Sequence, residues 1–220
     1  KRDKLLNQFN IIKDNNKINE VNRNLGKTPL RYFTEILDEK IFRNIKYNRT
    51  SEDYIGRFYG EFMSYSGGDG QTLGIILTPR HITELFGELV ELKPTSKVLD
   101  PCCGTAGFLI AAMHKMESLT DSEKEKREIR KNRLFGIELQ DYMFTIATTN
   151  MILRGDGKSN LENKDFLAQN PSKLQLKQCN VGMMNPPYSQ GSESNPDLYE
   201  INFINHMLES LVKGGKAAVI

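Results

Sequence analysis

Cysteine, histidine and long apolar runs are all scarce in this 220-residue chain, and each scarcity excludes something. Three cysteines, two of them adjacent as Cys102 and Cys103, make no disulfide framework. With no signal-peptide pattern at the start, a reducing, cytoplasmic setting is expected. The three histidines, His81, His114 and His206, stand far apart in no ligand spacing, so no metal site is expected. The longest apolar run, Phe108–Met113, is far short of the roughly 20 residues of a membrane-spanning helix, and no membrane association is expected. Net charge is only +2, too small to announce a polyanionic partner, although a local basic face would be enough for one. Charged residues at 26% and hydrophobic residues at 38% are a globular balance, neither disordered nor membrane-embedded.

What is present falls into two parts. Residues 1–70 are helical in pattern. Leu5, Leu6, Phe9 and Ile12 recur at helical spacing. Thr28-Pro29 is a hydroxyl N-cap followed by proline at the first helical position, and Leu30, Phe33, Ile36, Leu37 and Ile41 make a stripe after it. Ser51 is placed to cap a further helix carrying Ile55, Phe58, Tyr59, Phe62 and Met63, and Gly67–Gly70 closes the region as a loop. Residues 71–220 alternate between strand and helix. Thr78-Pro79 opens a helix whose buried face is expected to be Ile82, Leu85, Phe86, Leu89 and Val90. Short apolar strands are expected at Lys97–Asp100, Leu134–Glu138 and Val181–Met184, a weaker one near Leu161–Asn163, and a last one at Lys216–Ile220. Helices are expected at Phe108–Met116, from about Tyr142 to Arg154 with Gly155 as its cap, and at Leu198–Val212. The fold class is therefore α/β: a doubly wound, mostly parallel, Rossmann-like sheet preceded by a helical N-terminal region. The mixed charges of Asp121–Arg133 read as a solvated helix or loop. A first residue Lys1 and a final strand with nothing after it read as a piece of something longer.

Three segments carry chemistry. Asp100-Pro-Cys-Cys-Gly-Thr-Ala-Gly-Phe-Leu109 ends a strand in an acid, turns, and starts a helix; in a doubly wound sheet, ligands bind beyond such strand ends. Gly104 and Gly107 let backbone approach a ligand, and Asp100 suits a cationic amino group. Neither a P-loop nor a G-x-G-x-x-G spacing is present. Glu138, 38 positions after Asp100, ends the next strand and can accept both hydrogen bonds of a ribose diol. Asn185-Pro186-Pro187-Tyr188 follows the third strand. Its prolines remove two backbone donors, leaving the Asn185 side-chain oxygen and the Pro186 carbonyl as acceptors beside a flat ring. Two acceptors and a stacking face match an exocyclic amine on a planar group.

Taken together, these segments resemble the N6-adenine DNA methyltransferases, most nearly the modification subunit of type I restriction-modification systems. Gly74-Ile-Ile-Leu-Thr-Pro-Arg80 is similar to that family's segment ahead of the cofactor loop, Asp100–Leu109 to the loop itself, and Asn185–Tyr188 to its catalytic Asn-Pro-Pro-Tyr. The likeness spans roughly Ser51 to Ile220. Ala106, where many relatives have glycine, and Cys102 depart from it without removing a polar group.

The resemblance implies S-adenosyl-L-methionine as cofactor. Leu77, Thr78, Pro79 and Arg80 would border its methionine end. Asp100, Cys102, Gly104, Thr105, Ala106, Gly107 and Phe108 would hold the amino acid portion, Glu138 the ribose, and Asp165 and Phe166 the adenine. Asn185, which also borders the cofactor, and Pro186 would draw on the target amine, with Pro187 stiffening the loop and Tyr188 stacking on a rotated-out base. Ser189–Pro196 would be a mobile lip. Partners would be double-stranded DNA, a specificity subunit or fused target-recognition domain, and an endonuclease subunit. Competing expectations are a protein-glutamine or RNA methyltransferase on the same sheet, or a non-catalytic DNA-binding assembly module.

Overall fold

Proline preceded by a hydroxyl or amide side chain starts helices at several points of this chain, and the computed structural model displays two of them cleanly. It describes residues 10, 12–43, 56, 78–155 and 160–220. By compactness the chain divides into two units, Lys1–Asn48 and Arg49–Ile220. The division expected at residue 70, the Ser51 cap, Gly67–Gly70 and nearly all of the Leu5–Ile12 pattern lie outside the described residues.

In the first unit, α1 (Pro29–Leu37) starts as its sequence dictates: Thr28 Oγ1 accepts from the Arg31 N–H at 3.1 Å, with proline in the first turn. The helix runs on into a π-turn at Asp38–Phe42. Lys27 and Arg31 both pair with Glu35.

In the second unit the elements in chain order are α2 (Arg80–Leu89), β1 (Val98–Asp100), α3 (Gly107–Ser118), α4 (Glu123–Asn132), β2 (Leu134–Glu138), α5 (Asp141–Leu153), β3 (Asn160–Asn163), α6 (Pro171–Gln175), β4 (Val181–Met184), α7 (Glu200–Ser210) and β5 (Lys216–Val219). The five strands form one sheet in the order β3-β2-β1-β4-β5, every pair parallel. The doubly wound expectation is met. β1 leads outward through β2 to β3, then the chain returns to β1's other side with β4. The order reverses between β1 and β4, and that reversal is where such sheets hold ligands, outside the carboxyl ends.

Both faces are covered, as the period-2 alternation of the strands requires. Val98, Leu134, Val181 and Met183 point into a core built with Phe86 and Val90 around α2, with α3, with Ile129 of α4, and with Ala147 and Met151 of α5. Ile137 and Met184 point the other way, to Phe166, Leu174 of α6, and Phe203 and Met207 of α7. A Cβ at Gly136 would press into Leu161 of the neighbouring strand β3, and one at Gly182 into the Met207 sulfur of α7, so both mid-strand glycines are closely packed. α4 is the solvated helix expected of the charged stretch. Ser122 caps it, Ile129 alone is buried, and Lys126, Arg130 and Arg133 pair with Glu123, Glu117 and Glu125. Gly155 follows α5 at φ 87°, the left-handed cap its position implied.

Two expectations change. The buried face of α2 is Thr83, Phe86 and Gly87, continued by Val90, while Leu85 and Leu89 are exposed. The rotation stacks Phe86 on Phe108 at 5.0 Å between ring centroids and brings Gly87 against Leu92. That aromatic pair contributes about 0.5–1.5 kcal/mol beyond the area it buries. The second change is α6, which no strand-helix alternation had implied. It has the same start as α1, with Asn170 accepting from Ser172 N–H ahead of Pro171. No helix among the described residues is long and apolar enough to cross a membrane.

Candidate active site

Three of the singled-out residues sit at the carboxyl edge of the sheet because each ends, or directly follows, a buried strand. Asp100 closes β1 and is buried; Oδ1 accepts from Cys102 N–H at 3.3 Å, whereas Oδ2 has no partner among the described residues. Burial pushes its carboxyl well above the ordinary value, offset only by the Cys102 N–H, and the nearby Glu138 charge pushes the same way. Glu138 closes β2. Its Oε2 accepts from Gly104 N–H at 2.9 Å and its Oε1 from Gln140 N–H at 2.8 Å. Burial raises it too, against those two N–H groups and that of Leu139. The loop between β1 and α3 is thus hung on β2: Cys103 N–H donates to the Ile137 carbonyl and Gly104 N–H to Glu138. Gly104 at φ 53° has open space where a Cβ would stand, and Ala106 is left-handed at φ 72° although not glycine.

One residue that sequence reasoning missed holds this strained turn. Asn150 of α5 is fully buried and donates to the Thr105 carbonyl at 2.9 Å, while Arg154 Nη1 donates to its Oδ1 at 3.0 Å. The signal was available: Met143, Ile146, Ala147, Asn150 and Met151 are one buried helical stripe, and a lone amide on it needs a partner.

Beyond β4, Asn185 is half-buried. Its Nδ2 donates to Thr78 Oγ1 at 3.0 Å, and its Oδ1 accepts from Tyr188 O–H at 2.5 Å; the Ile220 carbonyl lies 3.3 Å from the same hydroxyl. Tyr188 is 38% exposed, and its hydroxyl is pushed up by partial burial and by Glu200. The following loop is tied down. Ser189, at φ 56°, donates its N–H to Glu200 Oε1 at 2.8 Å, Asn202 Nδ2 donates to the Pro196 carbonyl, and Gly191 lies directly on Tyr199. The Ser189 N–H holds the Glu200 carboxyl below its ordinary value.

The remaining candidates divide. Cys102 is half-buried among the acids, its thiol pushed up by burial and then by Asp100, Glu138 and Asp165. Asp165 is exposed after β3 and caps Leu167 N–H. Thr105 and Ala106 are buried in the turn, Gly107 lies near Thr83, and Pro186 is more buried than Pro187. Pro79 is the N-cap of α2, and Arg80 pairs with Glu84 one turn on. Phe108 and Phe166, each 3% exposed, turn their rings into the core, the first onto Phe86, the second against Phe203 and edge-on to His206 at 4.6 Å. Aromatic burial outweighs exposure to a crevice at both positions. Leu139, directly after Glu138, is an apolar side chain 65% exposed. Leu77 lies outside the described residues.

The family model of N-6 DNA methylases matches residues 50–220. This chain belongs to the N-6 DNA methylase family. It is 49% identical over 217 residues to the type II restriction enzyme and methyltransferase RM.BcgI of Heyndrickxia coagulans, a match covering 98% of this chain and 34% of that protein. It is 25% identical over 215 residues to the type I restriction enzyme EcoEI methylase subunit of Escherichia coli, covering 93% and 39%. The crystal structure of the type I restriction enzyme EcoKI M protein of Escherichia coli K12 shares the fold with a TM-score of 0.57 at 24% identity, over 66% of this chain and 34% of that one. The chain thus spans about a third to two fifths of the length of these relatives. The N-6 DNA methylase resemblance drawn from Gly74–Arg80, Asp100–Leu109 and Asn185–Tyr188 is borne out. The N-6 DNA methylase match begins at residue 50, close to the Ser51 from which the likeness was read.

Proposed function

We propose that this chain binds S-adenosyl-L-methionine and directs its methyl group to the N6 amine of adenine in double-stranded DNA, as the methyltransferase part of a restriction-modification protein. The observation that supports the reading is the pairing of β1 with β4, which sets Asp100 and Asn185 at the carboxyl ends of adjacent strands where the strand order reverses, the place where such sheets hold ligands.

The residues fit the cofactor. The unpartnered, buried Asp100 Oδ2 suits an ammonium group, which would restore its charged form. The carboxylate of Glu138 retains acceptor capacity beyond its backbone partners and suits a ribose diol. Asp165 suits the exocyclic amine of the cofactor's adenine, with Leu139 rather than Phe166 offering apolar contact. When bound, the sulfonium supplies an electrophilic methyl group.

On the target side, Asn185 Oδ1 and the Pro186 carbonyl accept the two hydrogens of the amine. This draws its lone pair out of conjugation with the purine and aligns it for in-line attack. Positioning and neutral dipoles do this work, with no covalent intermediate on the protein. Tyr188 supplies the stacking face for a base rotated out of the duplex, which costs a few kcal/mol to unpair. A DNA-reading specificity part, fused or separate, and an endonuclease part are the expected partners, and the name of the Heyndrickxia relative joins restriction and methylation in one protein.

The test offers unmethylated duplex DNA, RNA and a glutamine-bearing peptide in turn to the complete protein with tritiated cofactor. Label enters the DNA alone, and nucleoside digestion returns it as N6-methyladenine. Asn185→Ala abolishes transfer while sinefungin binding stays within about threefold. Label in RNA or peptide, or binding and turnover lost together in the variant, overturns the reading.

A further inference from the structure

The chain contains two Thr-Pro pairs that local rules treat alike. Thr28 precedes Pro29 and Thr78 precedes Pro79, each at the start of a helix. Thr28 does what the pattern demands, accepting from an N–H of its own first turn. Thr78 does not. The N-cap of α2 is Pro79, whose carbonyl accepts from Ile82 and Thr83 N–H, and no side chain caps that helix. The Thr78 hydroxyl stands one residue outside and accepts from Asn185 Nδ2, 107 positions away in sequence. A side chain suited to a local cap has been diverted to hold one end of one amide.

That amide matters by its orientation. A primary amide has a donor end and an acceptor end of nearly equal size, and the proposed chemistry works only with the acceptor toward the target amine. Two contacts fix it: Thr78 on the nitrogen, Tyr188 on the oxygen. The Tyr188 hydroxyl donates to one of the two acceptor positions of Oδ1, the role an amine N–H takes in the reacting complex. Thr78 is the side chain, among the described residues, that holds the nitrogen end.

We infer that Thr78 is a positioning residue for methyl transfer, fixing the Asn185 amide with Oδ1 toward the target amine; the inference rests on the function proposed above. It assigns Thr78 a task distinct from bordering the cofactor. Thr78→Val replaces the hydroxyl by a methyl of similar size, Thr78→Ala removes both, and Thr78→Ser keeps the hydroxyl.

The experiment measures single-turnover tritium transfer into unmethylated duplex DNA and calorimetric sinefungin affinity, using the complete protein and its variants. Val and Ala lower the transfer rate about tenfold or more, as a loosened reacting group does, with sinefungin affinity within about threefold, and Ser restores the rate to within about threefold of the parent. Normal rates in Val and Ala overturn the inference. So does Ser as slow as Val, or an affinity loss matching the rate loss, which would leave Thr78 a cofactor contact only. Asn185→Ala run alongside separates the two levels. If that variant still transfers, or the parent transfers nothing, the functional reading fails and takes this inference with it. If the parent is active and Asn185→Ala is not, normal transfer by Thr78→Val sinks this inference alone.

Discussion

Asp100 and Glu138 are both carboxylates ending buried strands, yet the protein solvates them differently. Glu138 takes a backbone N–H on each oxygen, whereas Asp100 takes one on Oδ1 and none on Oδ2. Glu138 braces the loop through Gly104, and the function proposed above would add accepting from a ribose. Glu138→Ala is expected to weaken sinefungin binding about tenfold or more, since hydrogen bonds to a charged group contribute about 1.5–3 kcal/mol. An unchanged calorimetric dissociation constant would remove it from the site. The place of these acids at the sheet edge was legible because each ends a short apolar run that forms a strand. The aromatics were not. Phe166 and Phe108 read the same in sequence whether a ring faces a ligand or the core, and the deciding neighbours, His206 and Phe86, come from elements remote in sequence.

At the scale of elements, the strands followed their local signals, whereas α2 departed from its own at both its cap, where Thr78 is diverted, and its buried face. Val98–Asp100, Leu134–Glu138 and Val181–Met184 are short apolar runs bounded by turns, and all became strands. The face of α2 turned away from its most apolar side because Phe86 and Gly87 pack better on α3 than Leu85 and Leu89 would. Asn150 is the counterpart within α5, an amide on the buried stripe whose purpose lies in another element's loop. It supports Thr105 next to Ala106, a left-handed alanine whose backbone costs about 1–2 kcal/mol. Two variants separate its effects. Asn150→Leu leaves the Thr105 carbonyl without that partner and is expected to weaken sinefungin binding more than Met151→Ala, its neighbour on the same stripe, at equal loss of melting temperature. Ala106→Gly relieves the strained position and is expected to recover part of that affinity. Equal affinity losses in Asn150→Leu and Met151→Ala would reduce Asn150 to ordinary core.

At the scale of the whole molecule, the parallel sheet gathers carboxylates at one edge, and no basic side chain among the described residues offsets Asp100 or Glu138 there. The fold thereby carries a cost that a cationic ligand removes. The sign follows from the raised carboxyl of Asp100. Between its ordinary value of 3.8 and its higher value in the fold, the native state binds more protons than the unfolded one. That stability is fully present below 3.8 and is lost as pH rises through the folded value. A ligand ammonium reverses the balance by favouring the ionised form, so sinefungin should release a proton on binding and raise the melting temperature more at higher pH across this window. Asp100→Asn removes the buried charge at nearly constant volume. It is expected to melt about 2–4 °C higher without ligand for each kcal/mol relieved, to lose that pH-dependent ligand effect, and to bind sinefungin at least about tenfold more weakly. Calorimetry in two buffers of different ionisation enthalpy measures the proton directly. If parent and variant release the same number of protons, the ammonium does not meet Asp100, and the cofactor lies otherwise in the crevice.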